Sequence, residues 1–424
     1  MVRRPFFYGW IIVGVAFLGM VLIYGIRHSF SIFFPSILEE FGWARGSTAI
    51  MLSLNLLVYG LLAPVAGSLG DRWRPRRVIA IGIIVIGLAT TGCAFAQELW
   101  HFYVLFGVLI PMGMAFCGWP ILGPALANWF THRRGLAIAL GQMGGGLSFT
   151  YGFFVEFVIS EVGWRYTFIV IAAILVAILL PIYFLFFYYR PQSKGLEPYG
   201  GIKTPAVPET KETAVLTKES LSHDWTLGSA LRTYRLWFIA IAYMLFWGVG
   251  CYLALAHQVK FAEDVGYSST FAASIFALFG IFLTAGMFSS SISDWIGREI
   301  IVFFAAVLVI GALIALILVQ DTSTPWLLYI YAICFGYGAG LFSPAVVAGA
   351  ADIFHGRHFG AIAGFLQTGM GLGGAIGPWL GGFIYDISGS YTGAFIFCMV
   401  CFGFAFLAFF FAAPRKVAGI TRTS

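Results

Sequence analysis

Four ionisable side chains lie inside long apolar stretches of this sequence: Arg27, His28, Glu156 and His257. A guanidinium presents a planar, two-pronged fork that matches a carboxylate. An imidazole changes charge near neutral pH, and a carboxyl group is the other common carrier of a proton. The chemistry these groups could do is anion binding and proton transfer. Arg27 stands roughly two to three turns before the end of its stretch, too deep to reach the surface with its side chain. A charge there costs about 2.5–3.5 kcal/mol on insertion scales, so it needs a partner, a cavity or a task. Three readings stand: it binds a substrate carboxylate, pairs with Glu156, or clamps backbone carbonyls. His28 points about 100° away from Arg27 on the same helix, which suits either proton transfer or plain packing. His257 is a candidate for both substrate and proton binding, and Glu156 for proton transfer. Asn55, Gln142, Gln367 and Tyr331 can hydrogen-bond a substrate or a neighbouring helix, while Trp119 and Phe335 are candidate cavity walls.

The elements that must hold these groups follow from composition. Of 424 residues 60% are hydrophobic and only 10% charged, too few charges to cover a soluble surface of that size. That excludes a cytosolic enzyme, a nucleic-acid binder and a disordered chain, and it makes the lipid bilayer the surrounding solvent. A hydrocarbon core about 30 Å thick takes roughly 20 apolar residues per helical crossing. Twelve such segments are expected, at 8–36, 47–70, 77–97, 100–127, 134–160, 166–189, 235–259, 269–291, 299–319, 326–350, 359–383 and 392–413. No run alternates with the period of two that a membrane β-barrel requires, so the fold class is all-α. Arg3 and Arg4 precede an apolar run with no small-residue cleavage site, which reads as an uncleaved first span.

Charge orients the helices. One set of alternate loops holds 20 of the 24 lysines and arginines, and the other holds Arg45, Arg165 and Lys260. The basic side is expected to be cytoplasmic, with both termini on it, in a multi-pass protein of a bacterial inner membrane. Cations next to acids at the helix ends of that side, Asp71 with Arg72, Arg76 and Arg77, and Asp294 with Arg298, are candidate gating pairs. The six cysteines all lie in apolar runs, so neither a disulfide framework nor a metal site is expected. No cofactor is expected either: Gly369-x-Gly371-x-x-Gly374 matches a dinucleotide fingerprint only formally, since no strand precedes it.

The segment 190–234 is rich in Pro, Lys, Glu and Thr and divides the chain into 1–189, a cytoplasmic linker, and 235–424. The two parts repeat one another. Phe41-Gly42-Trp43 matches Val265-Gly266-Tyr267, Ser68-x-x-Asp71 matches Ser291-x-x-Asp294, and Asn128, Gln142 and Phe168 match Asp352, Gln367 and Phe395. The offsets run from 223 to 227. Six spans per copy, an even number, give a parallel repeat about an axis along the membrane normal, with two bundles that can rock about a central cavity.

These residues carry a resemblance. Gly67 to Arg77, with Asp71, Arg72, Arg76 and Arg77, resembles the loop signature of the major facilitator superfamily, and Ser291 to Arg298 resembles its weaker copy. Tyr8-Gly9-Trp10 and the stretch from Trp129 to Gly144 resemble motifs of the monocarboxylate porters and the related oxalate/formate exchangers. The resemblance implies two pseudo-symmetric six-helix bundles and no enzymatic activity. It implies a monomeric secondary transporter of a small organic anion, a monocarboxylate moved together with H⁺ by alternating access. Efflux of amphipathic compounds and organic anion exchange are the alternatives. Relatives that pair their substrate with an arginine carry it in helix 8, and oxalate exchangers carry a lysine in helix 11. Here 269–291 has no charge and 359–383 has Gln367 but no lysine, which argues against dicarboxylates and turns attention to Arg27.

Overall fold

A bilayer core offers no water to backbone N–H and C=O groups, so each crossing segment has to satisfy its own hydrogen bonds as a helix. In the computed structural model eleven helices among the described residues are long and apolar enough to span a membrane. One of them, Leu136–Phe186, runs for 51 residues and is two crossings, because Gly163 at φ +79° interrupts it. The twelve crossings are α1 Gly9–Phe41, α2 Arg45–Arg72, α3 Pro75–Cys93, α4 Leu99–Trp129, α5 136–162 and α6 164–186. The second bundle contains α7 Tyr234–Val265, α8 Ser269–Ile292, α9 Arg298–Ile317, α10 Pro325–Ile353, α11 Phe359–Ser388 and α12 Thr392–Ala412. The structure describes residues 7–72, 75–131, 133–200, 225–354 and 359–412, without the side chains of residues 68, 70–72, 134, 135 and 294. Large apolar side chains such as Leu88, Phe184, Phe288 and Phe404 are exposed on the outside, as a lipid-facing surface requires.

The repeat is visible in the backbone. The helices α1 and α7 end at Gly42 and Gly266, and α5 and α11 end at Gly163 and Gly389; all four glycines have positive φ. These pairs lie 224 and 226 residues apart, the spacing of the sequence landmarks. A left-handed residue closes a helix by turning its N–H back onto the last carbonyls, as Gly42 does to Leu38 (2.8 Å) and Gly389 to Tyr385 (2.8 Å). The first helix therefore continues past its expected end at 36, through Glu39 and Glu40, until a glycine can turn the chain.

The side that carries the 187–234 connection is called here the linker face, and the other the far face. The start of the connection is docked: the Tyr199 N–H donates to the Trp129 carbonyl (2.8 Å), Trp129 Nε1 donates to the Tyr188 carbonyl (2.6 Å), and Arg76 Nε donates to the Phe187 carbonyl (2.7 Å). Before α7 a single helical turn, Leu227–Ala230, is capped by Thr226.

The bundles α1–α6 and α7–α12 meet along three seams, α2 against α11, α5 against α8, and α1 against α7. The repeat exchanges the first two and maps the third onto itself, as a pseudo-twofold axis demands. Glycines let the backbones touch: a Cβ on Gly60 would lie 3.0 Å from the Cα of Gly371, and one on Gly382 would lie 2.6 Å from backbone atoms of Arg45 and Gly46. Gly382→Val is therefore expected to destabilise the protein by about 1–3 kcal/mol, as overpacking does. Thermal melting in detergent checks it against Gly403→Val, where nothing lies within 4 Å of the added Cβ.

Candidate substrate site and far-face latch

Arg27 is 1% exposed and sits in α1 where α1, α2, α4 and α7 converge. Its Nε donates to Asn55 Oδ1 of α2 (2.6 Å). Asn55 Nδ2 in turn donates to the carbonyl of Phe106 (2.7 Å), in a π-helical turn of α4 at Leu105–Leu109. The Tyr59 and Tyr24 rings lie 4.4 and 5.4 Å from the guanidinium carbon, and their hydroxyls are hydrogen-bonded to each other at 2.6 Å. The guanidinium is thus fixed in position and in plane. Its two outer nitrogens, Nη1 and Nη2, are buried; the Tyr252 hydroxyl of α7 lies close by but outside hydrogen-bond geometry, and no ion pair to Arg27 is found among the described residues. Two parallel N–H donors on one edge are the arrangement that a carboxylate accepts in bidentate fashion.

These donors border a cavity between the bundles. The N-terminal bundle supplies Arg27, His28, Phe30, Ser31 and Phe149, and the C-terminal one supplies Tyr252, Leu255, Ala256 and Phe276. The cavity is small, about 10 Å³, room for a single water. His28 stacks on Phe149 (3.7 Å between centroids) and shares a 2.7 Å hydrogen bond between its Nδ1 and Ser148 Oγ. The Ser148 hydroxyl spends its own proton on the Gly145 carbonyl (2.6 Å), so His28 Nδ1 must be the donor.

Toward the far face the cavity is closed. Ser31 Oγ donates to the Leu255 carbonyl across the α1–α7 seam, and Phe34 packs edge-on against His257 (5.4 Å). Beyond them lies an ionic latch centred on Arg45, the first residue of α2. Its Nη1 donates to Asp264 Oδ2 of α7 (2.5 Å) and to the hydroxyl of Tyr391 (2.8 Å), and its guanidinium lies 3.6 Å from the Tyr385 ring centre. Asp386 of α11 accepts from the backbone N–H groups of Arg45 (3.0 Å) and Gly46 (2.8 Å), capping α2 from the opposite bundle. The other two cations of this face are paired too, Arg165 with Glu40 (2.6 Å) and Lys260 with Asp264 (3.0 Å).

A family model described as Major Facilitator Superfamily matches residues 16–348 and 322–423. The chain belongs to that superfamily. Among curated relatives, monocarboxylate transporter 11 of Homo sapiens is 27% identical over 399 residues, covering 92% of this chain and 79% of its own length. Monocarboxylate transporter 13 of Rattus norvegicus is 24% identical over 395 residues, covering 92% and 85%. A solved structure of a bacterial homolog to the human lysosomal transporter Spinster, inward-facing and occupied, has a TM-score of 0.69 at 16% identity over 96% of this chain and 97% of that one, a likeness of fold. This major facilitator is a multi-pass membrane transporter and not an enzyme.

The remaining sequence candidates of this major facilitator fall in different places. Gln142 lies on α5, six residues and roughly 9 Å nearer the linker face than Ser148. Gln367 faces the Tyr243 hydroxyl, which is also bonded to Ser343 (2.7 Å) on the α7–α10 wall. Trp119 packs on Gly123 within the first bundle. Phe335 is fully buried among Tyr331, Phe279 and Phe402, inside the second bundle and away from the cavity wall, and Tyr331 beside it keeps a buried hydroxyl with no partner. Glu156 is buried on α5, close enough to Glu263 of α7 to act on it, and forms no ion pair with Arg27 among the described residues. Of the gating candidates, Arg298 Nε binds Asp352 (3.0 Å) in its own bundle, Arg76 holds Phe187 in its own, and Arg77 is exposed. The side chains of Asp71, Arg72 and Asp294 lie outside the described residues.

Sequence reasoning did not single out Arg45, Asp386, Tyr391, Tyr59 or Tyr252, and it met Asp264 only as part of the motif from His257 to Gly266 that resembles bacterial members of the family. One signal was available for the latch. Three cations on the acid-containing, cation-poor face invite pairing, and each does find an acid.

Proposed function

We propose that this protein moves a small monocarboxylate together with H⁺ across the membrane by alternating access. The observation that carries the reading is the pair of buried, unpartnered Nη donors of Arg27 beside a cavity shared by both bundles. A monocarboxylate satisfies both donors and neutralises the charge, while Phe30, Phe149 and Phe276 suit its organic part. The names of the curated relatives support the same substrate class. Asn55 acts in this reading as the clamp that aims Arg27. His257, Glu156 and His28 are the groups able to carry the proton, and one proton per monoanion makes the step electroneutral.

The contracted cavity and the Arg45 latch correspond to a state closed at the far face. The basic linker face is then cytoplasmic, with both termini there, since 20 of the 24 cations lie on it. The division into 1–189, the linker 190–234 and 235–424 gives the two units that rock. Uptake of labelled short monocarboxylates into proteoliposomes, with and without an inward proton gradient, tests the proposal. Gradient-stimulated uptake is expected. Uptake of no monocarboxylate by the folded protein, with gradient-driven efflux of amphipathic dyes instead, would overturn it.

A further inference from the structure

His257 is fully buried near the far-face end of α7, in a chain of hydrogen bonds that ends at the latch. Its Nε2 lies 2.8 Å from the carbonyl of Pro378, an acceptor only, so Nε2 carries a proton and donates. Its Nδ1 lies 3.2 Å from the Tyr391 hydroxyl. In a neutral imidazole Nδ1 is bare and accepts the Tyr391 proton. The Tyr391 oxygen is then free to accept from Arg45 Nη1 at 2.8 Å, and the second Nη1 hydrogen goes to Asp264. Every proton in the chain from Pro378 to Asp264 has an acceptor in this arrangement.

A proton added to Nδ1 breaks the order. Nδ1 becomes a donor, and the Tyr391 oxygen then faces two donors, His257 and Arg45. The hydroxyl's own hydrogen loses its acceptor and has to turn away. The imidazolium also comes within the field of the Arg45 guanidinium, two like charges joined through one hydroxyl. The charged or titratable groups acting on His257 are Arg45 from α2, Asp386 from α11 and Tyr391 before α12; on its own helix Lys260 follows one turn later, paired with Glu263 and Asp264, and Phe34 of α1 packs on the ring. Asp386 is already committed to the backbone N–H groups of Arg45 and Gly46, and Asp264 to Arg45 and Lys260.

We infer that Tyr391 is a positioning residue that couples the proton on His257 to the far-face latch: neutral His257 orients Tyr391 to retain Arg45, and protonated His257 releases Arg45 and favours the state open at that face. The inference deepens the reading of the protein as a proton-coupled transporter and assigns the transmission to one hydroxyl. A proton arriving from the far side then stabilises the conformation that exposes the site to that side. No bond between heavy atoms forms or breaks; one proton enters at Nδ1 and one hydroxyl rotates.

The test is a distance across the far face. Glu161, at the end of α5, and Gln320, after α9, are both exposed and lie on opposite bundles. Spin labels at E161C and Q320C, in a background with Cys334→Ser since Cys334 is the half-exposed native thiol, report the opening by pulsed dipolar spectroscopy without any substrate. The wild-type background is expected to shift toward longer distances from pH 8 to pH 4. Tyr391→Phe keeps the ring on His257 and Phe395 but removes the relay, and it is expected to abolish that shift. His257→Gln, which cannot gain a charge, is expected to be independent of pH as well. A Tyr391→Phe protein that opens with the wild-type pH profile would overturn the assignment, and so would a wild-type distance that ignores pH. Neither outcome depends on which substrate is carried, so a failure of the monocarboxylate reading shows separately, as missing uptake.

Discussion

Arg27→Met is expected to abolish monocarboxylate uptake while leaving the protein at least as stable to heat as the wild type. The side chain is buried, its charge has no acid partner among the described residues, and two of its nitrogens have no acceptor. Removing such a group relieves a desolvation cost, and the methionine fills much of the same volume. Each charge-assisted hydrogen bond contributes about 1.5–3 kcal/mol, so losing both bonds to a carboxylate lowers affinity by roughly 100-fold or more. Arg27→Lys keeps the charge but not the fork and is expected to retain weak uptake with a raised KM. Thermal melting gives a second readout. At a monocarboxylate concentration near 100 times Kd the wild type should gain about 2.7 kcal/mol, and Arg27→Met should gain nothing. A methionine variant that is equally active, or one that fails to fold, would contradict the assignment of Arg27 to the substrate.

Arg45→Ala should have the second largest effect, in the opposite sense for the conformation: the far face opens. Three contacts leave with the side chain, to Asp264, to Tyr391 and to the Tyr385 face, and all of them cross from one bundle to the other. The latch is only partly buried, with side-chain exposures of 14% for Arg45 and 26% for Asp264, so its ion pair is partly screened. A combined loss of about 2–3 kcal/mol still shifts a two-state ratio by roughly 30- to 160-fold. Ala256 lines the closed cavity and is fully buried, which makes Ala256→Cys a reporter of opening. Its reaction with a membrane-impermeant thiol reagent from the far side is expected to be tens of times faster in the Arg45→Ala background. Asp386→Asn keeps the shape but loses the charge at the α2 N-terminus, and an intermediate rate is expected. Unchanged reactivity in Arg45→Ala would mean that the glycine seams alone hold this face shut.

The two sites belong to one mechanical arrangement. Arg27 and Arg45 stand on the first two helices of the same bundle, and both look across to α7, the first at Tyr252 and the second at Asp264. In the proposed cycle, closing the latch draws the two bundles together at the far face and contracts the cavity that Arg27 borders. On that proposal, admission of an organic anion requires the bundles to part, with the glycine contacts of α2 with α11 and of α5 with α8 as the places where they turn.

The sequence alone determined the number of crossings, the parallel repeat, the basic face and the depth of Arg27. The reason is physical: hydrophobic length, the position of helix-ending glycines and the placement of charges are local properties, and the bilayer imposes the rest. The Gly42–Gly266 landmark could be read before its role as a helix cap was visible. The tertiary structure alone decided what each polar group does. Asn55 looked like a substrate ligand and is spent on Arg27 and Phe106, and Phe335 looked like a cavity wall and is core. Arg45 looked like a minor exception to the charge rule and is the centre of a latch whose partners lie up to 346 residues away. Contacts of that range depend on how the two bundles meet, which no periodicity along a single helix encodes.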